Sequence, residues 1–305
     1  MNFQQLRIIQ ETVRRNFNLT EVAAALFTSQ SGVSRHVRDL EEELGVDLFI
    51  RKGKRFLGLT EPGKDVAMVV DRILLEVGNL KTVAAQFSDT DSGNLTVAAT
   101  HTQARYALPP AVAEFKRQFP RVHLTLTQAS PAEISTMLLE GAADIGVATE
   151  SLADTDDLIA IPYYTWHHAV IVPQDHPLTA HDSLSLTELA QWPIITYHDG
   201  FTGRPRIDQA FAEANLSWDL VMAAMDADVI KTYVQLGLGI GIIASMAFDA
   251  QRDQGLVLLD SASLFPASTS YLAVRKGRLL RGYARSFLQS CVPSRKSLLE
   301  RLGQG

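Results

Sequence analysis

Apolar positions in the first sixty residues recur at helical spacing. Phe3, Leu6, Ile9 and Val13 share one face of a helix that Asn2 is placed to cap, and Thr20 is placed to cap a second helix running through Val22 and Ala25 to Leu26. After a turn at Phe27 and Thr28, Val33, Val37, Leu40 and Leu44 follow a spacing of 4, 3 and 4, which predicts a third helix with a single buried face. Ser31, Ser34, Arg35 and Arg38 fall on its opposite, polar face, with Gln30 near its start. Apolar Leu48-Phe49-Ile50 and Phe56-Leu57 then flank the basic stretch Arg51-Lys52-Gly53-Lys54-Arg55, the pattern of a hairpin with a charged tip.

From Thr60 the period lengthens into one long helix. Thr60 is its cap, Glu61 favours its positive end and Pro62 is tolerated in its first turn. Val66, Val70, Ile73, Val77, Leu80, Ala84 and Phe87 alternate steps of four and three, an a/d seam that predicts a partner helix and hence a dimer. Gly78 within it lowers helix propensity by about 1 kcal/mol and marks a close approach or a bend. The polar segment Asp89–Asn94 reads as a hinge, after which strand and helix patterns alternate. Strands are expected at Leu95–Ala99, Val122–Leu126, Ile145–Ala148, Ile194–Tyr197, Leu220–Ala224 and Ile240–Ala244, with helices between them. This is α/β architecture with mainly parallel sheets, arranged as two units joined through His167 to Pro177.

A chain of 305 residues exceeds one core, and the pattern divides it into 1–60, 61–88 and 89–305, the last with lobes at about 93–164 plus 269–292 and at about 165–268. The formal charge of −6 is unevenly spread. Residues 1–60 hold nine Lys/Arg against seven Asp/Glu, so the head is +2 and the remainder −8, as suits a protein whose head alone meets phosphate. No apolar run approaches the ~20 residues that cross a bilayer. Met1 to Gln5 lack the layout of a secretory leader, and the only cysteine is Cys291, so a cytoplasmic protein without disulfides or a zinc finger is expected.

Candidate chemistry lies in two places. Gln and Arg on the polar face of the third helix can pair with base edges in a major groove, while basic residues of the hairpin lie along phosphates. In the body, hydroxyls gather where strands end: Thr100-His101-Thr102-Gln103 after one, Thr149-Glu150 after another, and Phe201-Thr202-Gly203-Arg204 beyond a third. Asp226 caps the helix after the Ala224 strand. Strand ends of open α/β sheets are where ligands bind, and hydroxyls beside helix starts suit a small anion or a polar amino-acid derivative. Arg105 and Arg204 either add charge there or make structural salt bridges. An enzyme is disfavoured: His101, His167 and His168 are available, but there is no G-x-S-x-G, glycine-rich phosphate loop, H-E-x-x-H or cysteine-metal spacing. A transport-type solute-binding protein is disfavoured by the basic head.

The stretch from Leu19 to Gly63 resembles the LysR-type transcriptional regulators. The likeness is carried by Ala23-Ala24, Thr28-Ser29-Gln30-Ser31, Val33-Ser34, Leu40-Glu41-Glu42-Glu43-Leu44-Gly45, Leu48-Phe49-Ile50-Arg51 and Leu59-Thr60-Glu61-Pro62-Gly63. That resemblance implies an N-terminal winged helix-turn-helix, a long linker helix and a two-lobed, periplasmic-binding-protein-like effector domain. It implies DNA contacts from Gln30, Ser31, Ser34, Arg35, Arg38, Arg51, Lys52, Lys54 and Arg55, Ser31 standing where many relatives have proline or alanine. Thr100 to Pro109, Phe201 to Arg204 and Asp226 to Val234 are similar to the CysB/Cbl-like subgroup, with similarity running to roughly Met246 and weak beyond it. By that likeness Thr100, Thr102, Gln103, Thr149 and Thr202 bind the effector, an acetylated serine (O-acetylserine or N-acetylserine) or a sulfate-type anion. The implied partners are double-stranded promoter DNA, a second copy through the linker helix, a homotetramer and RNA polymerase. No cofactor, metal, catalytic residue or membrane is implied. A regulator of sulfonate-sulfur use sensing adenosine phosphosulfate, and a LysR-type regulator of an unrelated pathway, remain as alternatives.

Overall fold

The computed structural model describes residues 1–53, 55–88, 92–181, 183–201 and 203–292 of the 305. Lys54, Thr202 and residues 89–91 of the expected hinge lie outside the described residues. The chain divides into two compact units, Met1–Ala85 and Gln86–Gly305, which are taken in turn.

The head begins with helices α1 (Phe3–Arg14), α2 (Leu19–Ala25) and α3 (Gln30–Leu44). Asn2 caps α1 in a reciprocal box, accepting from Gln5 N at 3.0 Å while Gln5 Oε1 accepts from Asn2 N at 2.9 Å. The cap of α2 is Asn18, not Thr20. The Asn18 side chain takes the Thr20 and Glu21 N–H groups, leaving the Thr20 hydroxyl to accept from Gln30 Nε2 at 2.8 Å. Helix α3 is capped by Ser29 and stopped by Gly45, whose φ of 72° suits glycine. Leu6, Ile8, Ile9, Val22, Val33, Val37, Leu40 and Leu48 form the core. Phe3 and Leu44, expected inside, are 56% and 41% exposed, since each ends its helix beyond the reach of the packed neighbours.

Strands β1 (Phe49–Lys52) and β2 (Arg55–Leu59) pair antiparallel as the expected hairpin. Its base is tied to α3 by Glu41, a buried carboxylate. Glu41 Oε1 accepts from Leu48 N at 2.8 Å and Phe49 N at 3.3 Å, and Oε2 ion-pairs with Arg51. The Arg51 guanidinium also lies 4.9 Å from the centroid of Phe56, which stacks on Phe49.

Helix α4 (Glu61–Ser88) is capped by Thr60, whose hydroxyl accepts from Gly63 N at 3.0 Å. Only glycine fits at 63, because a Cβ there would lie 2.0 Å from the Leu48 carbonyl oxygen. The expected seam is divided. Val66, Val70 and Ile73, with Ala67 and Leu74, pack into the head's own core. Leu80 is 71% exposed, alongside exposed Met68, Val69 and Val83 on another side of the helix. The first turns of the seam are therefore not an interface, and Phe87 falls outside the described side chains. Nothing approaches the Cβ position of Gly78.

The body contains two five-stranded sheets. The first comprises β3 (Gly93–Ala99), β4 (Val122–Gln128), β5 (Ile145–Ala148), β6 (Leu158–Trp166) and β12 (Ser268–Arg275), in the order β4-β3-β5-β12-β6. The second comprises β7 (His168–Pro173), β8 (Pro193–Tyr197), β9 (Asp219–Ala224), β10 (Ile240–Ala244) and β11 (Leu256–Leu259), in the order β11-β7-β10-β8-β9. Both are mixed, which corrects the expectation of mainly parallel sheets. β3 runs parallel to β4 and β5, and β8 to β9 and β10, whereas β7 and β12 run antiparallel to both neighbours. β7 and β12 are the strands entered directly from the other lobe, so they return against the local direction. The first crossing is at His167 alone, because His168–Pro173 is already a strand of the second lobe. The second crossing occupies 260–267.

Helices α5 (Pro109–Gln118), α6 (Pro131–Glu140) and α10 (Gly282–Cys291) serve the first lobe, and α7 (Leu186–Leu189), α8 (Arg204–Glu213) and α9 (Ala227–Gln235) the second. A π-helical turn, Gln103–Ala107, precedes α5. Cys291 is buried, and burial pushes its thiol up to about 12, consistent with a packing role. Among the described residues no helix is long and apolar enough to cross a membrane.

Glu41→Ala strands two buried backbone donors and the Arg51 guanidinium. Thermal unfolding of the head is expected to register a loss of about 2–4 kcal/mol, and a loss under half a kcal/mol would show that the hairpin is held by its aromatic packing instead.

Candidate functional site

The polar face of α3 leaves Gln30, Ser31, Arg35 and Arg38 exposed and Ser34 half-buried. Arg35 is 83% exposed, with only a loose pairing to Asp39 at 3.9 Å. Gln30 is oriented by Thr20, and Ser31 by a 3.0 Å contact with Ser29. On the hairpin Lys52 and Arg55 are exposed, while Arg51 is engaged by Glu41, which gives it a structural task. Exposed guanidinium and amide groups beside a basic hairpin are what duplex DNA requires.

A second constellation lies in the body, at the C-terminal ends of adjacent parallel strands β3 and β5. Thr100 N donates to Val147 O at 3.1 Å, which sets Thr100 beside the end of the strand that Thr149 follows. Thr100, Thr102 and Gln103 are at most 1% exposed and Thr149 is 7% exposed. Four of the five expected effector residues are thus buried at neighbouring strand ends. Gln103 is held on both sides: its Oε1 accepts from Tyr164 OH at 2.6 Å and its Nε2 donates to Ser270 Oγ at 2.9 Å. Trp166 Nε1 donates to the same serine at 3.0 Å. Burial pushes the Tyr164 phenol up to about 12, so it stays a neutral donor. Tyr197 of the second lobe is fully buried, and its phenol oxygen accepts from Ala244 N at 3.0 Å. In contrast, Thr100 Oγ1 and Ser268 Oγ are buried with no hydrogen-bond partner among the described residues. A buried hydroxyl left unsatisfied is costly, and such groups recur where a ligand completes the bonding.

Both arginines left open by the sequence are structural. Arg204 is buried, donating from Nε to both Asp208 oxygens at 2.9 and 3.0 Å and from Nη1 to Tyr197 O at 2.7 Å. Arg105 lies 2.6 Å from Asp228 Oδ2, across the lobes. Around that pair is a charged latch. Tyr106 OH donates to Asp228 Oδ1 at 2.8 Å, and Lys231 lies 3.0 Å from both Asp228 and Asp253 and donates to Tyr106 OH at 3.2 Å. Tyr106 also packs against the second lobe's core, although it belongs to the first lobe's π-helical turn. Burial opposes the charge on Asp228, but hydrogen bonds from Tyr106 and Lys231 outweigh it and hold the carboxyl below its ordinary range. Burial likewise opposes the Lys231 ammonium, and Asp253, Asp228 and Tyr106 together hold it above its ordinary range. His101, Asp226 and Asp228 bring ligand atoms within 4.8 Å of one another, the one grouping of metal-ligand type among the described residues. Arg105 and Lys231 already neutralise Asp228 there, and their charge opposes a cation.

The sequence did not single out Tyr164, Trp166, Ser268 or Ser270. The available signal was the start of β12, where Ser268 and Ser270 fall on the buried face of a strand otherwise apolar at Leu272 and Val274.

Comparison with known proteins bears on both sites. Residues 3–64 match the family described as bacterial regulatory helix-turn-helix protein, lysR family, and residues 88–295 the LysR substrate binding domain. The chain is 57% identical over 293 residues to the HTH-type transcriptional regulator SsuR of Burkholderia cenocepacia, covering 96% of this chain and 95% of that one. It is 52% identical over 291 residues to the HTH-type transcriptional regulator cbl of Escherichia coli, covering 95% and 92%. It is 49% identical over 306 residues to the HTH-type transcriptional regulator CysB of Burkholderia cenocepacia, covering 100% and 98%. Among solved structures, the cofactor-binding domain of the Cbl transcriptional regulator is similar with a TM-score of 0.67 and 47% identity, over 70% of this chain and 95% of that one. A full-length OxyR from Pseudomonas aeruginosa shares the fold, with a TM-score of 0.65 at 20% identity over 95% and 96% of the two chains.

Asp228→Asn keeps the shape of the latch and removes its central charge. The carboxyl is depressed in the folded chain, so its contribution is present above the ordinary value of 3.8 and is lost as pH falls through the lower folded value. Because the group is partly exposed, roughly 1 kcal/mol is expected near neutral pH, a drop of about 2–4 °C in Tm. The gap between variant and wild type should close as unfolding is measured at progressively lower pH; a gap that persists in acid would mean that Asp228 acts through shape alone.

Proposed function

Because the chain belongs to the LysR family of transcriptional regulators, DNA-binding proteins and not enzymes, we propose that it activates genes of sulfur and cysteine assimilation under control of a small effector. The effector, an acetylated serine or a sulfate-type anion, binds at Thr100, Thr102, Gln103 and Thr149, with Thr202 as a fifth contact. The observation that carries this reading is the buried Thr100 hydroxyl without a partner, at the strand ends where such sheets bind ligands. The similarity to the SsuR, cbl and CysB regulators supports the sulfur assignment. A site of hydroxyls and amides, with Arg105 and Arg204 already engaged by carboxylates, suits an anion held mainly by hydrogen bonds.

Base contacts come from Gln30, Ser34, Arg35 and Arg38, and phosphate contacts from Lys52 and Arg55, with Lys54. A homodimer forms on the α4 face carrying Met68, Val69, Leu80 and Val83, the exposed apolar stripe of the head. Paired dimers make a tetramer that contacts RNA polymerase. The effector acts by binding one arrangement of the lobes more tightly than another, since equal affinity would shift nothing. The Asp228 latch, with Arg105 and Tyr106 of one lobe on Asp228 of the other, is the contact whose strength distinguishes such arrangements. A second reading, a regulator of sulfonate-sulfur use that senses adenosine phosphosulfate, is favoured by the slightly higher identity to cbl, 52%, than to CysB, 49%.

Thermal unfolding with O-acetylserine, N-acetylserine, sulfate, thiosulfate and adenosine phosphosulfate tests the effector, because a ligand of the native state raises the midpoint. A rise with acetylserine or sulfate that vanishes in Thr100→Val is expected. A rise with adenosine phosphosulfate alone would favour the second reading, and no rise with any of them would remove sulfur from the description. For the head, Arg35→Ala is expected to weaken operator binding by roughly 5–100-fold; unchanged affinity across a salt series would reject α3 as the reading helix.

A further inference from the structure

Strand β12 enters the first lobe through Ser268-Thr269-Ser270, and both serines are fully buried. Ser270 is satisfied, accepting from Gln103 Nε2 and Trp166 Nε1. Ser268 shares its face of the strand, about 6.7 Å away, and pairs across the ladder with Trp166. Its Oγ has no hydrogen-bond partner among the described residues. A hydroxyl contributes nothing to a strand core that an alanine would not, and it carries the cost of lost hydration.

The second lobe faces Ser268 with the backbone of Gly203 and the imidazole of His168. A Cβ added at Gly203, the residue before α8, would lie 3.0 Å from Ser268 Oγ and 2.8 Å from His168 Cε1, and the φ of 69° there also favours glycine. Space is thus kept tight without any side chain of residue 203 to bond the serine. The other orphan hydroxyl is Thr100 Oγ1, in the same sheet and linked to β12 through the Gln103–Ser270 bond.

We propose that Ser268 is an effector-binding residue, whose hydroxyl meets a second polar group of the ligand from the crossing between lobes, while Thr100 meets the first at the end of β3. The inference rests on the reading of the body as an effector site and narrows its ligand. A compound with an anionic group and a separate hydrogen-bonding group, such as an acylated amino acid or a nucleotide-linked sulfate, uses both hydroxyls. A bare tetrahedral anion uses only the Thr100 end.

The test is calorimetric titration of the full chain, wild type, Ser268→Ala and Thr100→Val, with N-acetylserine, adenosine phosphosulfate and sulfate, alongside thermal unfolding without ligand. Ser268→Ala is expected to unfold at or above the wild-type temperature, since it loses an unsatisfied group. It should bind the extended ligand about tenfold more weakly, the usual scale of one hydrogen bond, with sulfate binding unchanged. Thr100→Val should lose both. Wild-type affinity in Ser268→Ala for a ligand that Thr100→Val no longer binds would overturn the Ser268 proposal and leave the site standing. A lower unfolding temperature for Ser268→Ala would overturn it too, by revealing a structural partner. Binding by the wild type of none of the three compounds, or equal binding by all three proteins, would bring down the reading of the site and this inference with it.

Discussion

Strand β12 hydrogen-bonds to β5 on one side and to β6 on the other, and it is the last strand in the chain. The first lobe therefore cannot be completed until the second has been threaded, because the sheet begun at Gly93 waits for residues 268–275 to fill the gap between β5 and β6. The proposed ligand site depends on that closure. It carries Ser270 to Gln103 over 167 positions of sequence, and through Ser270 it fixes the indole of Trp166. It also makes the lobes interdependent, since both strands entered from a crossing, β7 and β12, are hydrogen-bonded on both edges. Contacts of such long range are assembled late and together, so the site forms as a unit with the fold that surrounds it.

Charge is disposed of separately from the site. Arg105, Lys231, Asp228 and Asp253 answer one another across the lobes, and Arg204 is consumed by Asp208 and the Tyr197 carbonyl. What remains beside Thr100 is a set of buried hydroxyl and amide groups, where hydrogen bonds are stronger than in water and geometry counts for more than attraction. As the proposed ligand site, such a set would distinguish ligands by where their polar groups stand. The charged cluster, lying between lobes and partly open to solvent, contributes instead to how the lobes are held.

Helices and strands with a strong period were legible in the sequence, as Val33, Val37 and Leu40 in α3 and Ile145 to Ala148 in β5 illustrate. Periodicity failed at the ends of elements. Phe3 and Leu44 continue the pattern of their helices but project past the packed core, and Asn18 captured the backbone donors that Thr20 was expected to take. It failed again in α4, where an unbroken heptad spacing conceals two different environments, the head's own core around Val70 and open solvent around Leu80. Parallel and antiparallel pairing was not legible, because direction depends on which lobe a strand enters from. Of the proposed ligand site, Thr100, Thr102, Gln103 and Thr149 were visible as polar residues at strand ends. Tyr164, Trp166, Ser268 and Ser270 were not, since nothing local links them to Gln103.

Glu41 is a carboxylate spent entirely inside the head, on two backbone donors of β1 and on Arg51. Its consequence is mechanical. The angle between α3 and the hairpin is set by a joint built on a buried carboxylate, before any duplex is met, so the head presses against DNA as a finished die and not as a hand that closes. A die can be recut on its face, by exchanging side chains such as Ser34 or Arg38, without disturbing the joint. Any mismatch between its fixed outline and a given sequence must then be absorbed by bending the DNA, and the stiffness of base steps that the protein never touches enters into which promoters it prefers.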